Sequence, residues 1–153
     1  THGVQGFDLK VLSFQVKRGS SVALVGATGS GKSTLISALI GGCQRELWGD
    51  DAEGSGVFLS GKVGYMPQTL HLLSGCSVRE NVLCGLPMDT PRYEQALIAS
   101  TLSEDLAGAV GGDRCRPEEL PGEASRACIM LARALYVEAQ VLLLDDPFVT
   151  MEP

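Results

Sequence analysis

One run constrains the fold of this chain more than any other: Gly26-Ala27-Thr28-Gly29-Ser30-Gly31-Lys32-Ser33, followed by Thr34 and Leu35. It satisfies G-x-x-x-x-G-K-[ST] at every position. The four fixed positions coincide by chance in well under ~1% of chains this long, so the run reads as a phosphate-binding loop. Each part has a physical task. Glycine carries no Cβ, so backbone N–H groups around Gly26, Gly29 and Gly31 can converge on phosphate oxygens. A helix opening near Lys32 aims the positive end of its dipole at the same oxygens. Lys32 adds a mobile point charge over the β- and γ-phosphates. Ser33 offers a hydroxyl to Mg²⁺.

The flanks agree with that reading. Residues 21–25 (SVALV) are short and apolar, with β-branched Val22 and Val25, as in a buried parallel strand. Residues 33–40 are predicted to form a helix stopped by Gly41-Gly42. Strand, glycine loop and helix open a nucleotide-binding α/β unit. Upstream, residues 9–16 alternate as a strand does. Downstream, residues 44–56 read as loop, and 57–59 and 63–66 as two short strands. Ser77 and Glu80 form an S-x-x-E capping box for a helix running through Leu83. Thr90 is expected to cap another helix, with Pro91 at its first position. Residues 102–110 read as a third helix and 111–122 as loop. A longer helix over 123–138 carries Ala127, Met130, Leu131, Ala134 and Leu135 on one stripe. Residues 141–144 form a buried apolar strand ending at Asp145-Asp146. Downstream of a phosphate loop, a carboxylate at that strand end, Asp145, can hold Mg²⁺. Asp146 alone would read as a turn former before Pro147.

Composition removes several classes. At 153 residues the chain is about one domain long. Its 44% hydrophobic and 20% charged residues exclude a disordered tail. The net charge of −6 argues against a protein that coats nucleic-acid backbone, so no nucleic-acid partner is expected. No apolar run approaches the roughly 18–20 residues of a membrane-spanning helix. The start, THGVQGFDLK, lacks a signal-peptide pattern. Cys43, Cys76, Cys84, Cys115 and Cys128 are odd in number with no C-x-x-C pair, which favours reduced thiols over disulfides or zinc. His2 and His71 lack the companions a metal site or catalytic base needs.

Further segments carry a family likeness. Gly64-Tyr65-Met66-Pro67-Gln68 looks like a Q-loop, with Gln68 at its glutamine. Ser77-Val78-Arg79-Glu80-Asn81-Val82-Leu83-Cys84-Gly85 resembles the R-E-N segment beyond it. Leu131-Ala132-Arg133-Ala134-Leu135-Tyr136 resembles the helix after a signature motif, and Leu143-Leu144-Asp145-Asp146-Pro147-Phe148 a Walker B region. From about Phe7 to Pro153 the chain resembles the nucleotide-binding domain of ABC transporters. The R-E-N segment with Asp146-Pro147 is most similar to the first nucleotide-binding domain of subfamily C, the multidrug-resistance-protein-like exporters and channel regulators.

The resemblance implies an α/β P-loop NTPase (RecA-like) core with a mostly parallel sheet, residues 1–68 and 126–153, and an inserted helical subdomain, residues 69–125. It implies ATP and Mg²⁺ as cofactors. Gly26, Ala27, Thr28, Gly29, Ser30, Gly31, Lys32, Ser33, Thr34, Gln68 and Asp145 would bind nucleotide, with Ser33, Gln68 and Asp145 holding the metal. Gln68 and Asp146 would be catalytic. The implied partners are a second nucleotide-binding domain, in a head-to-tail sandwich of two ATP molecules, and transmembrane domains whose coupling helices press near Gln68. The implied place is the cytoplasmic face of a membrane, and the implied function is to couple ATP binding to export.

Departures from the family pattern shape the expected activity. The L-S-G-G-Q signature falls on Leu120-Pro121-Gly122-Glu123-Ala124. Pro121 replaces a serine donor. Glu123 replaces a glycine that would face the partner's polyanion, and each like-charge contact at ~4 Å would cost about 4 kcal/mol at an effective dielectric near 20. Asp146 stands where active members carry glutamate. The shorter side chain retracts the carboxylate, and a displacement on the order of 1 Å can cost ~100-fold in rate. Hydrolysis is therefore expected to be weak or absent, as the same change implies in subfamily C. Val149-Thr150-Met151-Glu152 is a poor D-loop. The chain stops before the family's switch histidine, so a fragment or truncated product, ending after Walker B, is expected. Phe7 is a distant candidate for the adenine-stacking aromatic. Two other readings stand beside this one: a degenerate regulatory or structural domain, and a soluble ABC-type ATPase, although residues 69–119 show no heptad run for the coiled coil of DNA-repair members. A GTPase would need an N-K-x-D motif, and none exists.

Overall fold

The computed structural model of the chain describes residues 14–42 and 56–147. It divides into two compact units, Thr1–Phe58 and Leu59–Pro153.

In the first unit, α1 (Lys32–Leu39) follows the glycine-rich loop. Its end is a Schellman motif: Gly41 takes φ +83°, its N–H donates to the Ala38 carbonyl at 3.2 Å, and the Gly42 N–H donates to the Ser37 carbonyl at 2.7 Å. The expected Gly41-Gly42 stop is therefore present in full. The expected strand over residues 21–25 is not: the segment has no strand partner among the described residues, with Val22 60% and Val25 93% exposed. A strand exists only through hydrogen bonds to a neighbour, and the described residues of this unit supply none. Of residues 9–16, 9–13 lie outside the described residues and 14–16 form no strand. The expected loop over 44–56 lies almost wholly outside them too. Residues 57–59 also form no strand, and Phe58 is exposed.

The second unit has a two-stranded parallel sheet and a helical layer. Strand β1 (Val63–Met66) pairs with β2 (Val141–Leu144) in the register Val63↔Val141 through Met66↔Leu144. Between them run α2 (Val78–Leu83), α3 (Thr90–Ala99), α4 (Leu102–Gly108) and α5 (Gly122–Tyr136). The stretch expected to be plain loop, 111–122, contains two 3₁₀ turns, Gly112–Arg114 and Pro117–Glu119. β2 is less buried than its apolar run suggests, with Leu142 exposed, because its hydrogen-bonded neighbour lies on one side only among the described residues.

Helix α5 is the axis of this unit. It packs on α2, α3 and α4 on one side and on β1 on the other. The expected stripe is therefore half of what is buried. Ala127, Met130 and Ala134 join Met66 against the sheet, while Cys128, Ile129, Ala132 and Tyr136 meet Val78, Val82 and Leu102 among the helices. Leu131 and Leu135 are partly buried. The Tyr136 hydroxyl donates to the Pro87 carbonyl at 2.6 Å and accepts from the Asp89 N–H at 2.8 Å, so it fixes the entry to α3. That entry is capped one residue earlier than expected. Asp89, not Thr90, is the N-cap, its carboxylate accepting from the Arg92 N–H at 3.2 Å and pairing with the Arg92 guanidinium at 2.7 Å. A carboxylate at the helix start beats a hydroxyl as acceptor and complements the dipole. Cys76, Cys84, Cys115 and Cys128 are free thiols. No helix among the described residues is long and apolar enough to cross a membrane.

The capping box of α2 is as expected. The Glu80 carboxylate accepts from the Ser77 hydroxyl and the Ser77 N–H, both at 2.7 Å, and the Glu80 N–H donates back to the hydroxyl at 3.3 Å. The Ser77 hydroxyl first, and then the Ser77 N–H, hold the Glu80 carboxyl below its ordinary range. A depressed folded value stabilises the fold above the unfolded value, and that contribution is lost as pH falls through the folded one. Ser77→Ala is therefore expected to lower the urea midpoint at pH 7 and to lower it less at an acid pH below the folded Glu80 value, where the carboxyl has taken up its proton. An equal gap at both pH values would refute the linkage.

Candidate functional site

The phosphate-loop residues lie in the first unit and the carboxylates with Gln68 in the second, and each group has its own geometry. In the loop, Gly29 and Gly31 take φ +79° and +92°, conformations costly for any residue with a Cβ. A Cβ on Gly26 would sit 2.7 Å from the Ser30 Oγ, so the loop closes tightly on itself. The Ser30 N–H donates to the Ala27 carbonyl at 3.1 Å, completing the turn across Thr28 and Gly29. Lys32 arches back over this loop. Its Nζ donates to the Gly26 carbonyl at 2.9 Å and the Ala27 carbonyl at 3.0 Å. The ammonium thus rests beside the glycine backbone of the loop.

Gly31 is the N-cap of α1; no side chain caps that end and no acidic residue stands in the first turn. The positive end of the dipole faces the glycine loop. Ser33 is exposed and Thr34 half-buried, both in the first turn. This donor set suits a polyphosphate: a cation, a helix start and glycine backbone. The Ser33 hydroxyl suits a Mg²⁺ bound with it.

In the second unit, β1 and β2 end side by side. The Asp145 N–H donates to the Met66 carbonyl at 2.9 Å, extending the ladder by one bond, so the strand ends carry Gln68 and Asp145-Asp146 together. The Gln68 amide Nε2 donates to the Asp146 Oδ2 at 3.4 Å. Gln68 and Asp146 are exposed, whereas Asp145 is buried. Burial, and then the negative charge of Asp145, pushes the neighbouring Tyr65 phenol up. Asp146 has φ +52°, a left-handed conformation that aspartate tolerates better than most residues but that is unusual ahead of a proline. Such a constraint is characteristic of functional turns. The oxygens of Gln68 and Asp145, with Asp146 beside them, are of the kind Mg²⁺ takes.

The degenerate signature occupies the start of α5. Pro121 is its N-cap, with no side-chain cap of its own, and the Ser125 hydroxyl donates to the Pro121 carbonyl at 2.7 Å. Glu123 is exposed in the first turn, where it complements the helix dipole, as Arg133 does in the last turn. Phe7 and the D-loop positions 149–152 lie outside the described residues.

Two residues that sequence reasoning carried only as letters of a pattern hold the loop after Gln68. Asn81 is fully buried in α2. Its Oδ1 accepts from the Leu73 N–H at 2.7 Å, and its Nδ2 donates to the carbonyls of Leu73 at 3.3 Å and Ser77 at 3.0 Å. Arg133 in α5 donates to the Asn81 carbonyl at 2.7 Å, the Asn81 Oδ1 at 2.8 Å and the His71 carbonyl at 2.8 Å. The available signal was an asparagine, a poor helix former, inside a short helical segment.

The profile of the ABC transporter family matches residues 9–149. The rat protein named ATP-binding cassette sub-family C member 3 is 41% identical over 143 residues, 91% of this chain and 9% of that protein. ABC transporter C family member 13 of Arabidopsis thaliana is 41% identical over 142 residues, 90% of this chain and 9% of its own. ABC transporter C family MRP4 of maize is 39% identical over 144 residues, again 9% of its length. The chain thus spans about a tenth of the relatives it matches.

Proposed function

The chain belongs to the ABC transporter family, with relatives in subfamily C, and from that premise we propose that it is an ATP-binding domain that couples nucleotide binding to export, with hydrolysis weak or absent. The observation that carries the reading is the glycine loop itself: Lys32 folded over two loop carbonyls, at the start of a helix that follows left-handed Gly29 and Gly31. In this reading Gly26, Ala27, Thr28, Gly29, Ser30, Gly31, Lys32 and Thr34 hold the phosphates of ATP. Ser33, Gln68 and Asp145 are the ligands for Mg²⁺, which when bound neutralises phosphate charge. Asp146 and Gln68 orient water. The aspartate already accepts from Gln68, and its carboxylate is a methylene shorter than glutamate, which supports slow chemistry.

The division into a core of residues 1–68 and 126–153 and a helical subdomain of 69–125 belongs to the same proposal. So do a second nucleotide-binding domain and transmembrane domains as partners, and a place on the cytoplasmic face of a membrane. The second reading, a regulatory or structural domain, is favoured by one observation: Pro121 and Glu123 at the start of α5 offer neither hydroxyl nor bare backbone to a partner's phosphates.

Calorimetric titration of MgATP into the chain, with released phosphate followed in the same samples, tests these readings. Saturable binding with no phosphate above the protein-free rate is expected. Turnover by the isolated chain would refute the claim of weak hydrolysis. No saturable binding would give the lead to the structural reading.

A further inference from the structure

Gln68 is exposed, yet the chain on both sides of it is tied down. Ahead of it, β1 ends at Met66, whose carbonyl accepts from the Asp145 N–H at 2.9 Å. Behind it, residues 69–77 have neither helix nor strand. Such a segment has no ladder of its own to hold it, and a chain fixed at one end only would sample many positions. Here Arg133 captures the His71 carbonyl at 2.8 Å, three residues past Gln68. Asn81 captures both polar groups of the Leu73 backbone, at 2.7 and 3.3 Å. Arg133 also fixes Asn81, donating to its carbonyl at 2.7 Å and to its Oδ1 at 2.8 Å. The His71 ring adds a local contact, its Nδ1 2.7 Å from the Thr69 carbonyl.

The bonds of Arg133 are notable for what they reach. Its fork meets two backbone carbonyls and an amide oxygen, and no carboxylate among the described residues. Lysine cannot copy this, because one ammonium on a flexible stem does not span three acceptors in a plane. Only Pro67 through Leu70 remain between the Met66 and His71 anchors, and Gln68 is among them. Side chains that hold a ligand in place through its neighbours typically govern metal affinity by 10–100-fold without touching the metal.

We infer that Arg133 and Asn81 are positioning residues for Gln68: through the His71 and Leu73 backbone they hold the glutamine amide where it can serve a metal-bound nucleotide. The inference rests on the proposed ATP-binding function. It predicts an effect confined to the Mg²⁺-dependent part of binding, which a merely stabilising role would not produce.

The test is titration of ATP, with Mg²⁺ and in excess EDTA, into wild type, Gln68→Ala, Arg133→Lys and the double variant. Arg133→Lys is expected to weaken MgATP binding about tenfold, to leave metal-free ATP binding unchanged, and to add nothing once Gln68 is alanine. Asn81→Asp is the second variant, should Arg133→Lys not fold. It keeps an acceptor for Leu73 and Arg133 but loses the donor to the loop carbonyls, and it should show the same Mg²⁺-specific loss. If Gln68→Ala loses the Mg²⁺ benefit while both positioning variants retain it, the inference fails and the function stands. Additive losses in the double variant also overturn it. If wild type binds no nucleotide, the underlying reading falls, and this inference with it; if Gln68→Ala binds MgATP as wild type does, the glutamine serves no metal and the inference fails while nucleotide binding stands.

Discussion

Lys32→Ala is expected to bind MgATP about a hundredfold more weakly than the parent chain while folding as well. The ammonium donates to the Gly26 and Ala27 carbonyls at 2.9 and 3.0 Å, and no acidic residue in the first turn of α1 competes for it. An arriving phosphate would draw those donors from neutral carbonyls to a polyanion. A hydrogen bond to a charged group contributes roughly 1.5–3 kcal/mol, and about 2.7 kcal/mol is the expected hundredfold. Stability should barely move. Lys32 is the first residue of α1, alanine is the best helix former, and the lost bonds join groups that water reaches. Calorimetry and a urea melt on one preparation separate the two effects. Wild-type affinity in Lys32→Ala would show that the loop does not hold phosphate. A large drop in the urea midpoint would show that the lysine props the loop.

The tight glycine turn and the helix start after it were legible because they rest on a contiguous pattern whose glycines and lysine act through backbone geometry within a few residues. The capping box at Ser77 and Glu80 and the Gly41-Gly42 stop were legible for the same reason. What sequence could not supply was the neighbour. SVALV has the composition of a buried strand, but composition specifies apolarity and not a pairing partner, and residues 21–25 have no strand partner among the described residues. A single helical stripe was read on α5, whereas the helix is buried on two faces because sheet and helices both pack on it. Sliding the cap from Thr90 to Asp89 depended on Arg92 closing over the carboxylate, a contact that local preference does not reveal. The pairing of Gln68 with Asp146 followed from the parallel register of two strands whose helical connection brings distant ends together.

Gly64→Ala is expected to be the most destabilising small substitution in the second unit, by about 2 kcal/mol net. Gly64 is buried in β1 where the strand crosses the end of α5. A Cβ there would lie 2.5 Å from the Ala134 carbonyl oxygen and 3.1 Å from both the Ala139 Cβ and the Leu142 Cδ1. A main-chain carbonyl in the last turn of a helix cannot rotate aside as a side-chain tip can, so either β1 lifts off α5 or its register with β2 yields. Overpacking of this kind costs roughly 1–3 kcal/mol, and a backbone obstacle belongs at the upper end. Against it stands a gain of about 0.4–1 kcal/mol, because alanine restricts the unfolded chain. That gain is accessible here, since Gly64 is not among the residues with positive φ. Gly108 supplies the control: it ends α4, has no positive φ, and a Cβ there meets nothing within 4 Å. Gly108→Ala should therefore stabilise by the same unfolded-state gain with no steric cost. Urea midpoints of the two variants should move in opposite directions, and a shared sign would refute the close packing of β1 on α5. Because β1 runs into Gln68 and its end bonds to Asp145, the same strain should weaken MgATP binding in whatever fraction of Gly64→Ala remains folded.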